Sequence, residues 1–422
     1  MELKKRRWIV LIASCIINLC IGTAYAWSVF GKAWALLLGV QTAIAFTLNN
    51  SVGPITMISG GKINDVLGPK WVVFAGGLIF GGGSLIAGIF HTFTSLFIGY
   101  GIMMGLGMGL VYGCTVNNTV KLFPDKRGLI GGLTTMAYGL GSVILAPVAR
   151  WMVYDKFAIK DAAGAVTTNG ITSTFIVLGI VYMAIICIGA FFTIKVPENY
   201  QPEGWTPPPP KPNVRIPKDK NWKEMLADPV FYVMLCMTLS GAFCGLMLIS
   251  QVFAIATDQT TFAMTSVAAA NIVMSLALFN AFGRVTSGWI SDKIGRINTL
   301  TITLSLAAVG LLLIFSSASA EAANNSLFTV GVCMVGFAFG STMGVLPGFT
   351  ADQFGSKNNT MNFGIMFIGF ALAGILGPMI MQNMKPTPKT FSNASYIVAV
   401  AFAVFGVIMS FVFRAMTKEK SN

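Results

Sequence analysis

The sequence predicts an all-α membrane protein of twelve transmembrane helices, on three observations. Of its 422 residues 55% are hydrophobic and 10% charged, with a mean hydropathy of +0.74, far too little charge for the surface of a soluble domain. Apolar runs of about 20 residues, the length a helix needs to cross a bilayer, occur twelve times. Lys and Arg are also divided unequally between the two sets of loops that those runs define.

The runs lie near 8–30, 43–61, 71–90, 95–119, 128–151, 172–194, 229–256, 264–290, 297–316, 327–349, 360–382 and 394–415. Lys4 to Arg7, the apolar run behind them and Ala24-Tyr25-Ala26 share the outline of a cleavable secretory signal. Cleavage would leave an odd number of spans and put the basic middle loop outside, so the stretch reads as the first span. With the N-terminus in the cytoplasm, about 21 of the 28 basic residues fall in cytoplasmic loops or tails. The expected location is the inner (cytoplasmic) membrane, multi-pass, with both termini cytoplasmic. The +13 net charge then reflects topology and attraction to anionic lipid, and no nucleic-acid partner is expected.

Residues 195–228, with Pro207 to Pro210 and several lysines, form a polar linker that is too proline-rich to continue a helix. The expected domains are therefore an N-terminal half, 1–194, this linker, and a C-terminal half, 229–422. The halves repeat a signature. Gly61, Asp65 and Gly68 in GKINDVLGPK recur at the spacing of Gly288, Asp292 and Gly295 in GWISDKIGR, and Lys70 and Arg296 close the two copies. Each copy falls in the turn between the second and third spans of its half.

This duplicated turn, in a twelve-span chain with a long middle loop, resembles that of the major facilitator superfamily. The resemblance implies the major facilitator fold, two six-helix bundles around a central cavity that opens alternately to the two sides. It assigns the eight turn residues to a cytoplasmic gate, in which the aspartate caps a helix end, pairs with basic residues across the bundle interface and favours an outward-facing state. The plainer reading is a turn that only keeps its charges inside.

Gly101, Gly105, Gly109 and Gly113 stand at four-residue spacing in the fourth span and predict one bare face for close helix packing. Seven cysteines (Cys15, Cys20, Cys114, Cys187, Cys236, Cys244 and Cys333) fall inside spans without a CxxC pair and read as small core residues. The single histidine, His91, sits in a short loop. With no nucleophile beside a base and no metal-ligand cluster, no enzymatic activity, metal or cofactor is expected.

Arg284 is the only Lys or Arg placed deep in a span, where an ionisable side chain costs at least about 3 kcal/mol and is usually functional. All fifteen carboxylates fall in loops, in tails or at span ends, so none is placed at its depth. A permeating anion is then a natural counter-charge, and the guanidinium fork matches a carboxylate in two parallel hydrogen bonds. Two plainer readings compete, namely snorkelling to the interface or pairing with Asp292, about 12 Å further along the helix. Asn280, one turn earlier, with Gly283 and Ser287, makes a polar stripe that favours the buried reading. Tyr25, Trp27, Tyr112, Tyr138, Phe339, Phe363, Phe367 and Phe370 lie at depths suited to a cavity wall, although each alone reads as packing.

GTAYAWSVF from Gly22, GLVYGCTVNNTVKLFPDKRGLIGG from Gly109, AYGLG from Ala137 and FNAFGRVTSGWISDKIGR from Phe279 look like the oxalate/formate antiporter family, relatives of the monocarboxylate transporters. The resemblance implies that Arg284 binds the substrate carboxylate and that Tyr25, Tyr112 and Tyr138 line the cavity. Three positions depart from the relatives. Phe370 stands where oxalate-specific members carry a second cation, whereas Val29 and Asn280 replace a lysine and an aspartate assigned to proton coupling in animal monocarboxylate transporters. The expected substrate is thus a small monocarboxylate such as formate, lactate or pyruvate, bound by Arg284, Asn280, Tyr25, Tyr112, Tyr138, Phe339, Phe367 and Phe370. Anion exchange and proton-linked transport both stay open, as do oxalate/formate exchange and drug efflux. The expected partners are the substrate, protons as an open second one, and the bilayer, with the chain functional as a monomer.

Overall fold

The computed structural model describes residues 3–40, 42–160, 166–168, 170–197, 200–202, 219–257, 262–319, 324–384 and 393–417. The Pro207 to Pro210 run of the linker lies outside these residues, as do Glu2, Asp161, Glu198, Glu203, Asp258, Glu321 and Glu419.

Helices dominate, because a backbone in lipid must satisfy its polar groups internally. The first pass is broken: α1 (Leu3–Ile21) passes through a 3-10 turn at Gly22–Ala26 into α2 (Trp27–Leu38), eight residues beyond its expected end. Next come α3 (Ala43–Leu67) and α4 (Pro69–Phe90). The short α5 (Phe93–Leu96), capped reciprocally by Thr92 and Ser95, runs through a π-helical stretch at Phe97–Met104 into α6 (Gly105–Leu122). Then follow α7 (Arg127–Trp151) and α8 (Ile171–Ala190), with a feature the sequence did not suggest between them, a two-stranded antiparallel ladder of β1 (Ile159–Lys160) and β2 (Val166–Thr168).

Beyond the linker, α9 (Trp222–Leu226) is a single turn capped by Asn221 and Glu224. It leads into α10 (Pro229–Thr257), α11 (Ser266–Ile294), α12 (Arg296–Ser319) and α13 (Asn325–Phe354). The eleventh pass is split at Phe367 into α14 (Asn359–Met366) and α15 (Ile368–Asn383), and α16 (Asn393–Thr417) closes the chain. Among the described residues ten passes are long and apolar enough to cross a membrane on those criteria alone, and the broken first pass and α3 complete the twelve expected.

Two compact units emerge from the contacts. One comprises Met1–Leu122, Ala137–Tyr200 and Asn358–Ile365, the other Phe123–Met136, Gln201–Lys357 and Met366–Asn422. The first turns of α7 thus pack with the second unit, and most of α14 packs with the first.

Within the first unit the glycine face of the fourth pass lies along α3, as its spacing predicts. A β-carbon on Gly105 would lie 2.6 Å from the Asn49 carbonyl, and one on Gly109 would collide with the Gly53 carbonyl. Added at Gly101 and Gly113 it would come 3.3 Å from Ala45 and 3.4 Å from Met57, so the contacts advance four residues at a time on both helices. The second unit holds a matching ladder that the sequence reading missed, in which Gly336, Gly340 and Gly344 of α13 press on the carbonyls of Leu276, Asn280 and Arg284 of α11. Its spacing is that of the first ladder, and that spacing was the available signal.

Because Gly109 meets backbone, which cannot yield, Gly109→Ala is expected to lower the unfolding free energy of the purified protein by about 1–3 kcal/mol. Gly113→Ala, in ordinary contact, is expected to be neutral or to gain a few tenths of a kcal/mol from helix propensity. Thermal melts of the two variants in detergent compare them directly, and equal melting temperatures would contradict the ladder.

Candidate substrate site and gating turns

Arg284 is almost wholly buried, at 1% exposure, inside α11. Helical side chains lean toward the N-terminus of their helix, and accordingly Arg284 Nε reaches back one turn to donate to Asn280 Oδ1 at 3.2 Å, on the side away from Asp292. Its Nη1 donates to the main-chain carbonyl of Thr135 in α7 at 2.8 Å. Such burial does not suit a snorkelling side chain. Both described acceptors are neutral dipoles, which solvate a buried cation without cancelling its charge.

The polar stripe around it is structured. Gly283 admits the Phe337 carbonyl of α13, and the Ser287 and Ser341 hydroxyls share a hydrogen bond of 2.6 Å. On the other side of α11, a β-carbon at Gly132 of α7 would collide with the Arg284 carbonyl. Backbones of two neighbouring helices therefore seat the arginine.

The remaining candidates fall into separate groups. In the second unit Phe370 stacks on Phe367 at 4.5 Å between centroids and on Phe339 at 6.3 Å, all three buried. In the first unit Tyr112 and Tyr138 meet edge to face at 5.0 Å, and the Tyr138 hydroxyl donates to Met108 Sδ at 3.1 Å. Phe363 contacts Tyr112 at 6.5 Å in that unit. Tyr25 lies in the 3-10 turn, with its side chain outside the described residues. Two motif glycines have a packing task, since Gly22 takes the Tyr138 carbonyl against it and Gly141 that of Leu19.

The duplicated turns are alike in detail. Gly68 and Gly295 both have φ +93°, a left-handed conformation that glycine adopts without strain. In the first copy Asp65 Oδ2 accepts from Met361 N of α14 at 3.1 Å, and in the second Asp292 accepts from Gly128 N and Leu129 N of α7, each at 2.9 Å. Each carboxylate thus satisfies main-chain donors at a helix N-terminus, where the dipole favours negative charge. Gly61 and Gly288 allow the approach, because a β-carbon would meet the Met361 backbone at 2.9 Å in the first copy and collide with the Gly128 carbonyl in the second.

The closing cations differ. Arg296 bridges Asp292 at 2.7 Å and Asp352 at 2.8 Å, and Arg127 joins Asp352 at 2.8 Å. Lys70 instead lies over the rings of Trp71 and Phe191, while Lys121 of α6 takes the pairing role with Asp65 at 2.6 Å. Neutral side chains extend the first copy, with Asn64 donating to Thr360 and Asn359 donating to Asn117, each at 2.7 Å.

Comparison with known proteins adds the family. The chain is 29% identical over 376 residues to the uncharacterized MFS-type transporter YhjX of Escherichia coli K12, covering 88% of this chain and 87% of that protein. It is 28% identical over 379 residues to the oxalate:formate antiporter of Oxalobacter formigenes, covering 88% and 83%. Its fold matches the crystal structure of the transporter FucP with a TM-score of 0.70 at 12% identity, over 97% of this chain and 99% of that one. The Major Facilitator Superfamily model matches residues 8–378, and the chain belongs to that family, with its twelve-helix membrane fold.

Proposed function

We propose that the protein is a secondary transporter that moves a small organic monocarboxylate of the formate, lactate or pyruvate class across the cytoplasmic membrane by alternating access. One observation carries this reading, namely a fully buried arginine held by an amide oxygen and a main-chain carbonyl inside a membrane helix. The planar guanidinium fork matches a carboxylate in two parallel hydrogen bonds. The relative named an oxalate:formate antiporter supports the same substrate class.

A monoanion is preferred because Phe370, at the position where the resemblance to oxalate-specific members implies a second cation, is packed among Phe339 and Phe367. The charge left over would cost roughly 4 kcal/mol at 4 Å and an effective dielectric of 20. Oxalate/formate exchange is the second reading, favoured by the named relative. The transporter has halves at 1–194 and 229–422 joined by the 195–228 linker, has cytoplasmic termini, and works as a monomer. The three phenylalanines, with Tyr25, Tyr112 and Tyr138, serve as walls of the permeation route. Gly61, Asp65, Gly68, Lys70, Gly288, Asp292, Gly295 and Arg296 form the gating turns.

Two measurements test this. In proteoliposomes loaded with formate, lactate or pyruvate, Arg284→Ala is expected to abolish counterflow that the wild type performs, with oxalate a poor competitor. Wild-type rates in Arg284→Ala would refute the clamp, and preferential exchange of oxalate would select the second reading. Asp292→Asn retains an acceptor for the α7 amides but loses the charge facing Arg296. It is expected to slow maximal exchange about tenfold, equivalent to 1.4 kcal/mol, with half-saturation within about twofold of wild type. An unchanged maximal rate would remove Asp292 from the gate.

A further inference from the structure

We infer that the main-chain carbonyl of Thr135 is a positioning group for Arg284, and that Gly132 is the residue that delivers it. The inference rests on Arg284 being the carboxylate clamp. A guanidinium held at one nitrogen can still swing about that bond. Held at two nitrogens from two helices, its plane is set. Asn280 supplies the first hold from α11 itself, at Nε, and Thr135 supplies the second from α7, at Nη1. A carbonyl oxygen has two lone pairs, so the Thr135 oxygen can serve α7 and the arginine together.

The Thr135 side chain is directed elsewhere, its hydroxyl donating to the Gly132 carbonyl at 3.1 Å. The group that acts on Arg284 is therefore backbone, and its position depends on how closely α7 approaches α11. Gly132, one turn earlier, sets that distance. A β-carbon there would collide with the Arg284 carbonyl and lie 3.0 Å from Val285 Cα, and neither backbone atom can rotate away. Any side chain at position 132 would push α7 outward and draw the Thr135 carbonyl off Nη1. The same stretch of α7 ends its packing with the second unit at Met136, one residue beyond Thr135.

Full-length Gly132→Ala, Gly113→Ala and wild-type proteins, each purified as a monodisperse species, separate a positioning role from a merely structural one. Two readouts apply: half-saturation and maximal rate of lactate or formate counterflow, and the rate at which phenylglyoxal modifies Arg284 without substrate, mapped by mass spectrometry. Gly132→Ala is expected to speed modification at least about fivefold and to raise half-saturation about tenfold, with a maximal rate within about twofold of wild type. Gly113→Ala, the tolerated glycine of the ladder along α3, is expected to match wild type in both. If Gly132→Ala does not fold, an ester in place of the 135–136 peptide bond weakens the same carbonyl without adding volume, and the same changes are expected.

Wild-type modification kinetics in the Gly132→Ala or ester variant would overturn the inference. So would faster modification with unchanged half-saturation, or a Gly113→Ala defect equal to that of Gly132→Ala. Faster modification of Gly132→Ala in a protein whose wild type exchanges no carboxylate would instead refute the clamp, and the positioning role with it.

Discussion

The structure around Arg284 depends on helix backbones coming into contact. A buried guanidinium needs acceptors, and the acceptors described for it are an amide on its own helix and a carbonyl on the next. The second is in reach because Gly132 leaves no β-carbon between α7 and α11, while Gly340 and Gly344 bring α13 onto the carbonyls of Asn280 and Arg284. Gly132 thus does more than pack helices. It brings a main-chain dipole to a cation in a setting where solvation by water is lost.

The two duplicated turns show one backbone device completed with different chemistry. Both place an aspartate on a helix N-terminus behind a glycine that permits the approach, and both close on a left-handed glycine. The first is completed by the Lys121–Asp65 ion pair and by buried amides, with Asn117 and Asn359 fully enclosed. The second is completed by charges on Arg127, Arg296, Asp292 and Asp352, the last 37% exposed. Exposed ion pairs are screened by salt and buried amide bonds are not. The two turns are therefore expected to differ in salt sensitivity although the same sequence signature marks them.

Much of this was legible in the sequence, for physical reasons. Apolar runs marked the passes because lipid demands them, and the glycine-aspartate-glycine spacing marked the turns because φ, charge and close approach each restrict the residue type. Arg284 and Asn280 stood out because polar residues are costly at that depth. What escaped notice was what has no letter of its own. The Thr135 carbonyl belongs to every residue type, and only Gly132 beside it hints at its use. Lys121 rather than Lys70 pairs with Asp65 because partnership depends on where α6 passes, and sequence proximity does not report that. The breaks at Gly22–Ala26 and Phe367 also left no proline to announce them.

The central claim is that Arg284 recognises the charge of a small carboxylate and not merely its size. Thermal unfolding of the purified wild-type protein with lactate or formate, against the uncharged amides lactamide and formamide at equal concentration, tests it most directly. Ligands that bind the native state raise its melting temperature by mass action. The account predicts a concentration-dependent rise with the carboxylates that the amides do not produce. Equal stabilisation by the amides, or none by any carboxylate of this class, would contradict it.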